Sequence, residues 1–374
     1  MIYQKKYLPS LNGLRFFAAL CVVITHIELI KGYYSLPNIW QNQNIKELGS
    51  LGVIFFFVLS GFLITYLMQE EKKLKGSFSL KNFYLRRVFR ILPLYYLVVF
   101  LGFVLVFNWD LIKISSQFET ANENYWSYLL MYLFLIPNFT LGAFNSSFPH
   151  IGQLWSIGVE EHFYLVWPFV FIFSKRNLLK SMVLFFITVL VIKTSVWLYF
   201  RFSENDVSTV IFWSKTLATE KLECMSIGGI FSFFFFNHEK QVKSFFSSSL
   251  ITLISVLFIF IGINFTPPIL QDGMHVVYSF LFVFIIANSM SNSILIKLFE
   301  FKFFNYLGQI SFGIYVYHLI IVTAVISILS EFNLDSISFN LLAYLFSLLF
   351  TFFVSYLSYN YFERYFLKLK SNFS

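Results

Sequence analysis

Apolar residues in this chain do not alternate with polar ones at a helical or strand interval. They run on in long stretches separated by short polar joints. About ten stretches have the length of a membrane-crossing helix. They lie near Leu11–Ile30, Leu48–Met68, Ile91–Phe107, Trp155–Phe173, Ser181–Phe200, Thr216–Phe236, Phe245–Phe265, His275–Ser291, Tyr306–Leu329 and Phe339–Phe362. Between the third and fourth lies a long segment, Asn108–Leu154. Its apolar part, Tyr125–Phe139, is short for a crossing and reads as re-entrant or interfacial. No internal repeat and no soluble appendix is visible, so residues 1–374 read as one transmembrane domain. The expected fold class is an all-α polytopic membrane protein: a bundle of about ten transmembrane helices with both termini cytoplasmic.

Composition excludes the alternatives. Hydrophobic residues make up 58% of the 374 positions and charged residues 12%. That charge is about half of what a soluble surface carries. A β-barrel would show alternating segments of about ten residues instead of unbroken runs. The net charge of +8 suggests nucleic acid in a soluble protein, but basic inner loops explain it here. The joint after the second run alone holds Lys72, Lys73, Lys75, Lys81, Arg86, Arg87 and Arg90. Lys5 and Lys6, Lys175 and Arg176 also fall inside, whereas Lys113 is among the few bases outside. Cys21 and Cys224 form no disulfide framework and no metal motif.

Ionisable groups inside spans are costly and mark function. Arg15 and His26 sit eleven positions apart in the first run. At 100° per residue this is about 20° beyond three turns, so they share one face about 16 Å apart. Arg86 and Arg90 share a helical face, and guanidinium forks suit phosphate oxygens; anionic lipid headgroups are another candidate for them. Glu160, Glu161 and His162 open the fourth run, framed by Trp155 and Trp167. Read alone, they are either a polar interface cap or a carboxylate–imidazole pair. His318 in the ninth run is a core hydrogen-bonder or a site residue. Glu220, Lys221 and Glu223 read as a self-compensated cluster, and Ser60–Gly61 as small-residue helix packing.

Six stretches, in order, are similar to the acyltransferase-3 family of membrane O-acyltransferases. They are Leu11-Asn-Gly-Leu-Arg15 with His26 beyond it, Gly52 to Ile64, Phe83 to Pro93, Leu154 to Tyr164, Leu307 to His318, and Tyr361 to Arg364. The resemblance implies a ten-span bundle that takes an acyl group, with acetyl expected, from cytoplasmic acyl-CoA. The group passes to a hydroxyl of a cell-surface glycan or a lipid-linked precursor. It implies His26 as the acid–base residue, and Arg15, Arg86, Arg87 and Arg90 as the acyl-CoA grip. Trp155 carries over as a further acyl-CoA-binding residue and Glu160 as a catalytic one that orients or charge-stabilises His26. Acyl-CoA is then a co-substrate and no bound cofactor or metal is expected. The expected partners are the glycan acceptor and membrane lipids but no nucleic acid, and the location is the inner or plasma membrane. Many relatives carry an acidic residue where this chain has Ile54. Some bear a fused extracytoplasmic esterase-like domain; without one, transfer occurs on the bundle or on a separate extracytoplasmic partner. The rival reading is a secondary transporter or flippase of a glycan-related solute, which ten spans and intramembrane charge also fit.

Overall fold

The computed structural model describes residues 7–112, 115–174, 177–202, 206–271 and 273–373. Lys5, Lys6, Lys113, Lys175 and Arg176 lie outside the described residues. Among the described residues the fold is helical throughout, with no strand. The long helices are α1 (Leu11–Tyr33), α2 (Gln43–Lys75) and α3 (Leu80–Phe100), the last continued by a π turn, Leu101–Val106. The Asn108–Leu154 segment folds into three short helices, α4 (Ser115–Glu123), α5 (Tyr125–Leu133) and α6 (Phe139–Phe144). At 1.5 Å per residue, α5 is about 14 Å long, which is too short to cross a bilayer. Next come α7 (Trp155–Phe173), α8 (Leu178–Phe202), α9 (Val207–Thr219) and α10 (Leu222–Asn237). The chain continues through α11 (Glu239–Phe245), α12 (Leu250–Phe265), α13 (Pro268–Gln271), α14 (Met274–Ser289), α15 (Ser293–Phe299) and α16 (Lys302–Gln309). It closes with α17 (Ser311–Ser330), α18 (Ser336–Ser358), a second π turn at Tyr359–Glu363, and α19 (Arg364–Ser371).

Six helical segments have the length and hydropathy to cross a membrane: α1, α2, α3 with its π turn, α8, α17, and α18 continued through α19. Two bent pairs, α11–α12 at 72° and α14–α15 at 93°, raise this to eight if each is one span. The chain is a multi-pass membrane protein. Two of the ten expected spans correspond to helices outside this set. The α10 helix has only 16 residues, about 24 Å. The α7 helix carries Glu160, Glu161 and His162 within its 19 residues.

At the centre stands α2, packed on both α1 and α10. Its crossing with α10 is a backbone contact. A Cβ added at Gly61 would lie 1.8 Å from the Met225 carbonyl oxygen, and one at Gly228 would lie 1.9 Å from that of Val58. Only glycine permits that approach, so the small-residue reading of Ser60–Gly61 holds. The seam leaves Ser60 facing the other way, toward α7.

Candidate active site

Five helices converge on a partly open cavity of about 110 Å³. Arg15 of α1, Ser60 of α2, Arg87 and Arg90 of α3, Glu160 and Tyr164 of α7, and Tyr315 of α17 line it. Glu160 accepts hydrogen bonds from Ser60 Oγ at 3.0 Å and from the Tyr164 hydroxyl at 2.6 Å. Arg87 lies over the rings of Phe83 and Tyr164, and its Nε is buried without a hydrogen-bond partner among the described residues. Three guanidinium groups thus face a space whose lining holds one carboxylate. Buried charges are normally paired or neutralised. Guanidinium groups gathered around a cavity in this way can pair with an anion such as a phosphate.

Arg86 is not part of that lining. It donates to Glu71 Oε2 at 2.6 Å and to the Phe373 carbonyl at 2.7 Å. Glu71 at the end of α2 captures it, which leaves Arg15, Arg87 and Arg90 of the expected arginine set at the cavity.

A second cavity, about 150 Å³, lies along α1 beyond the first. His26, Tyr33, Gln117, Ser147, Phe148, His150, Gln153 and Trp155 line it. Trp155 therefore stands with His26 and not with the arginines. The shared face of Arg15 and His26 expected from their spacing is present, but each opens into its own cavity.

Three linked hydrogen bonds, two of them to His26 itself, set the tautomer of its imidazole. His318 Nδ1 lies 2.7 Å from the Tyr315 carbonyl, an acceptor, so Nδ1 carries the proton. The neutral His318 then has a lone pair on Nε2, which faces His26 Nδ1 at 3.1 Å. His26 Nδ1 also lies 2.9 Å from the Val22 carbonyl. Both neighbours accept, so His26 Nδ1 donates and the lone pair resides on Nε2. That nitrogen has no protein partner among the described residues and is left for the cavity. An unprotonated, oriented Nε2 is what a general base requires.

Glu160 does not reach His26. It lies five residues deeper along α7 than Trp155, about 7.5 Å, and bonds into the arginine cavity. His318 takes the supporting place that the sequence reading gave to Glu160. The neighbouring His162 points elsewhere again, pairing with Glu220 at 2.8 Å. Successive residues on a helix diverge by 100°, so the Glu160–Glu161–His162 run cannot act as one group. The Glu220–Glu223 cluster is compensated from other helices, with Glu223 meeting Lys193 at 2.5 Å and His275 at 2.6 Å.

A thin wall separates the two cavities. The hydroxyls of Ser156 and Tyr315 lie 2.5 Å apart. Tyr315 also donates to the Gln153 carbonyl at 3.1 Å, and Gln153 Nε2 donates to the Val316 carbonyl at 2.6 Å. One side of this wall faces the arginines and the other faces His26.

The family profile described as an acyltransferase domain, acyltransferase-3, matches residues 8–360. The peptidoglycan O-acetyltransferase OatA of Listeria monocytogenes is 29% identical over 338 residues, which is 86% of this chain and 50% of that protein. The O-acetyltransferase OatA of Staphylococcus aureus is 28% identical over 340 residues, 85% of this chain and 51% of that protein. A putative O-acetyltransferase of Staphylococcus aureus is 28% identical over 350 residues, 89% and 53% respectively. The chain spans about half the length of the curated relatives it matches. No solved structure matches. With the profile running over nearly its whole length, the chain belongs to the acyltransferase-3 family.

Proposed function

We propose that this chain is an O-acetyltransferase of the inner or plasma membrane, moving an acetyl group from cytoplasmic acetyl-CoA to a hydroxyl of a cell-surface glycan. The observation that carries the reading is the pairing of an arginine cavity with a base-bearing cavity across one thin wall. A relative's name, peptidoglycan O-acetyltransferase, makes peptidoglycan the first acceptor to test. In this reading the bundle crosses ten times with both termini inside. The arginine cavity opens to the cytoplasm and the histidine cavity to the outside.

The CoA phosphates pair with Arg15, Arg87 and Arg90, whose planar forks match phosphate oxygens. The thioester arm extends past Ser156 and Tyr315 along the α1 face, a path of about 16 Å. His26 Nε2 takes the proton of the acceptor hydroxyl as its oxygen attacks the thioester carbonyl. The C–S bond then breaks, an acetyl ester forms, and the CoA thiolate takes the proton back from His26. His318 Nε2, accepting from His26 Nδ1, stabilises the imidazolium formed between these steps.

The test uses purified protein in liposomes, with acetyl-CoA on one side and glycan on the other. Thioester loss and acetyl-ester gain are measured together. The His26→Ala protein is expected to lose transfer by about 10²-fold or more while remaining folded. Full transfer by folded His26→Ala protein overturns the reading. So does solute flux without thioester loss, which would favour the transporter.

A further inference from the structure

The segment leading into α7 contains a second histidine of the same cavity. His150 lines the space that His26 faces, together with Gln153, Ser147, Tyr33 and Trp155. The residue is 4% exposed. Its Nδ1 is buried and has no hydrogen-bond partner among the described residues. Its backbone has φ of 62°, the left-handed region that side chains bearing a Cβ enter at a cost. Two separate costs therefore meet at one residue, a strained backbone and an unpaired polar atom. Strain and unsatisfied groups of this kind persist where a site needs them. Burial pushes the imidazolium pKa down to about 4, so the ring is neutral near pH 7. A neutral imidazole has one donor and one acceptor nitrogen and can exchange a hydrogen bond with a hydroxyl.

The rest of the lining has the same character. Tyr33 and Trp155 offer flat apolar faces with polar edges, while Gln153 and Ser147 offer hydrogen bonds. A sugar ring presents both complements, C–H faces and equatorial hydroxyls.

We propose that His150 is the acceptor-recognition residue of this cavity, its imidazole bonding a sugar hydroxyl that adjoins the one His26 deprotonates. The inference rests on the acetyltransferase reading and deepens it: the ligand class is a pyranose with at least two neighbouring hydroxyls or a hydroxyl beside an amide.

The experiment uses the full chain in liposomes, acetyl-CoA, and chitopentaose, a β-1,4-linked N-acetylglucosamine oligomer, as the acceptor probe. His150→Gly removes the ring and suits the left-handed backbone. His150→Asn also tolerates that backbone and returns an amide near the position of Nδ1. The Gly variant is expected to raise the KM for chitopentaose about tenfold. The KM for acetyl-CoA stays at the wild-type value. The Asn variant is expected to recover most of the loss. A wild-type acceptor KM in His150→Gly overturns the inference and leaves the acetyltransferase reading intact. An equal change in donor and acceptor constants overturns it as well, since that marks a structural role. Wild-type protein that moves no acetyl group to the oligomer overturns both.

Discussion

His26 has two ring nitrogens with different tasks. Nδ1 is committed to the Val22 carbonyl and to His318 Nε2, which leaves Nε2 free for chemistry. Val22 alone would fix the tautomer. His318 adds a second acceptor, and its value appears when His26 becomes charged, because an acceptor at Nδ1 strengthens as the ring gains a proton. The expected result of His318→Phe is a fall in kcat of about 10-fold to 10²-fold, with both KM values unchanged. His318→Gln keeps an acceptor oxygen and is expected to restore much of the rate. Steady-state kinetics of the two variants decide this, and equal loss in both would refute the supporting role. The sequence made His26 legible because an imidazole in an apolar run is conspicuous. Its partner was equally visible as a polar residue, but 292 positions separate the two. Single-chain spacing carries no information about which of two distant helices meet.

At the scale of the element, the question is which face of each helix looks where. Periodicity relates positions on one helix, so Arg15 and His26 were correctly placed on one face of α1. It does not say which face of α3 is turned inward. The spacing of Arg86 and Arg90 favoured those two as a pair, whereas α3 presents Arg87 and Arg90 to the cavity and gives Arg86 to Glu71. The same limit explains Glu160, whose direction was fixed by Ser60 on α2. These orientations separate two otherwise similar variants. Arg86→Ala leaves Glu71 buried without its partner and is expected to lower stability by about 3 kcal/mol, with the KM for acetyl-CoA unchanged. Arg90→Ala removes a charge that faces the cavity. It is expected to raise that KM about tenfold, the size of one charge-assisted hydrogen bond, with thermal stability retained. Melting curves in detergent and donor kinetics test both, and the opposite pattern would return Arg86 to the grip.

On the scale of the whole molecule, the low charge content that placed the chain in a membrane also isolates its site. The helical class and the multi-pass character followed from unbroken apolar runs. The number of crossings was less legible, because α7 and α10 are shortened or charged where they build the interior. The division into two cavities was not legible at all, since the wall is made by Ser156 on α7 and Tyr315 on α17. That wall has a physical consequence. In the proposed reaction, Tyr315 would stand between the thioester and the water of the histidine cavity until the arm extends past it. Tyr315→Ala is expected to join the two spaces and admit water to the thioester. Acetyl-CoA consumed per acetyl ester formed then rises severalfold, an uncoupling in which hydrolysis competes with transfer. Tyr315→Phe keeps the ring and loses only the hydroxyl, so its ratio stays near wild type. Parallel measurement of free thiol and acetyl ester gives the ratio directly. If the Ala and Phe variants show the same ratio, the barrier is not the ring of Tyr315, and the coupling between the cavities must reside in the Gln153 hydrogen bonds instead.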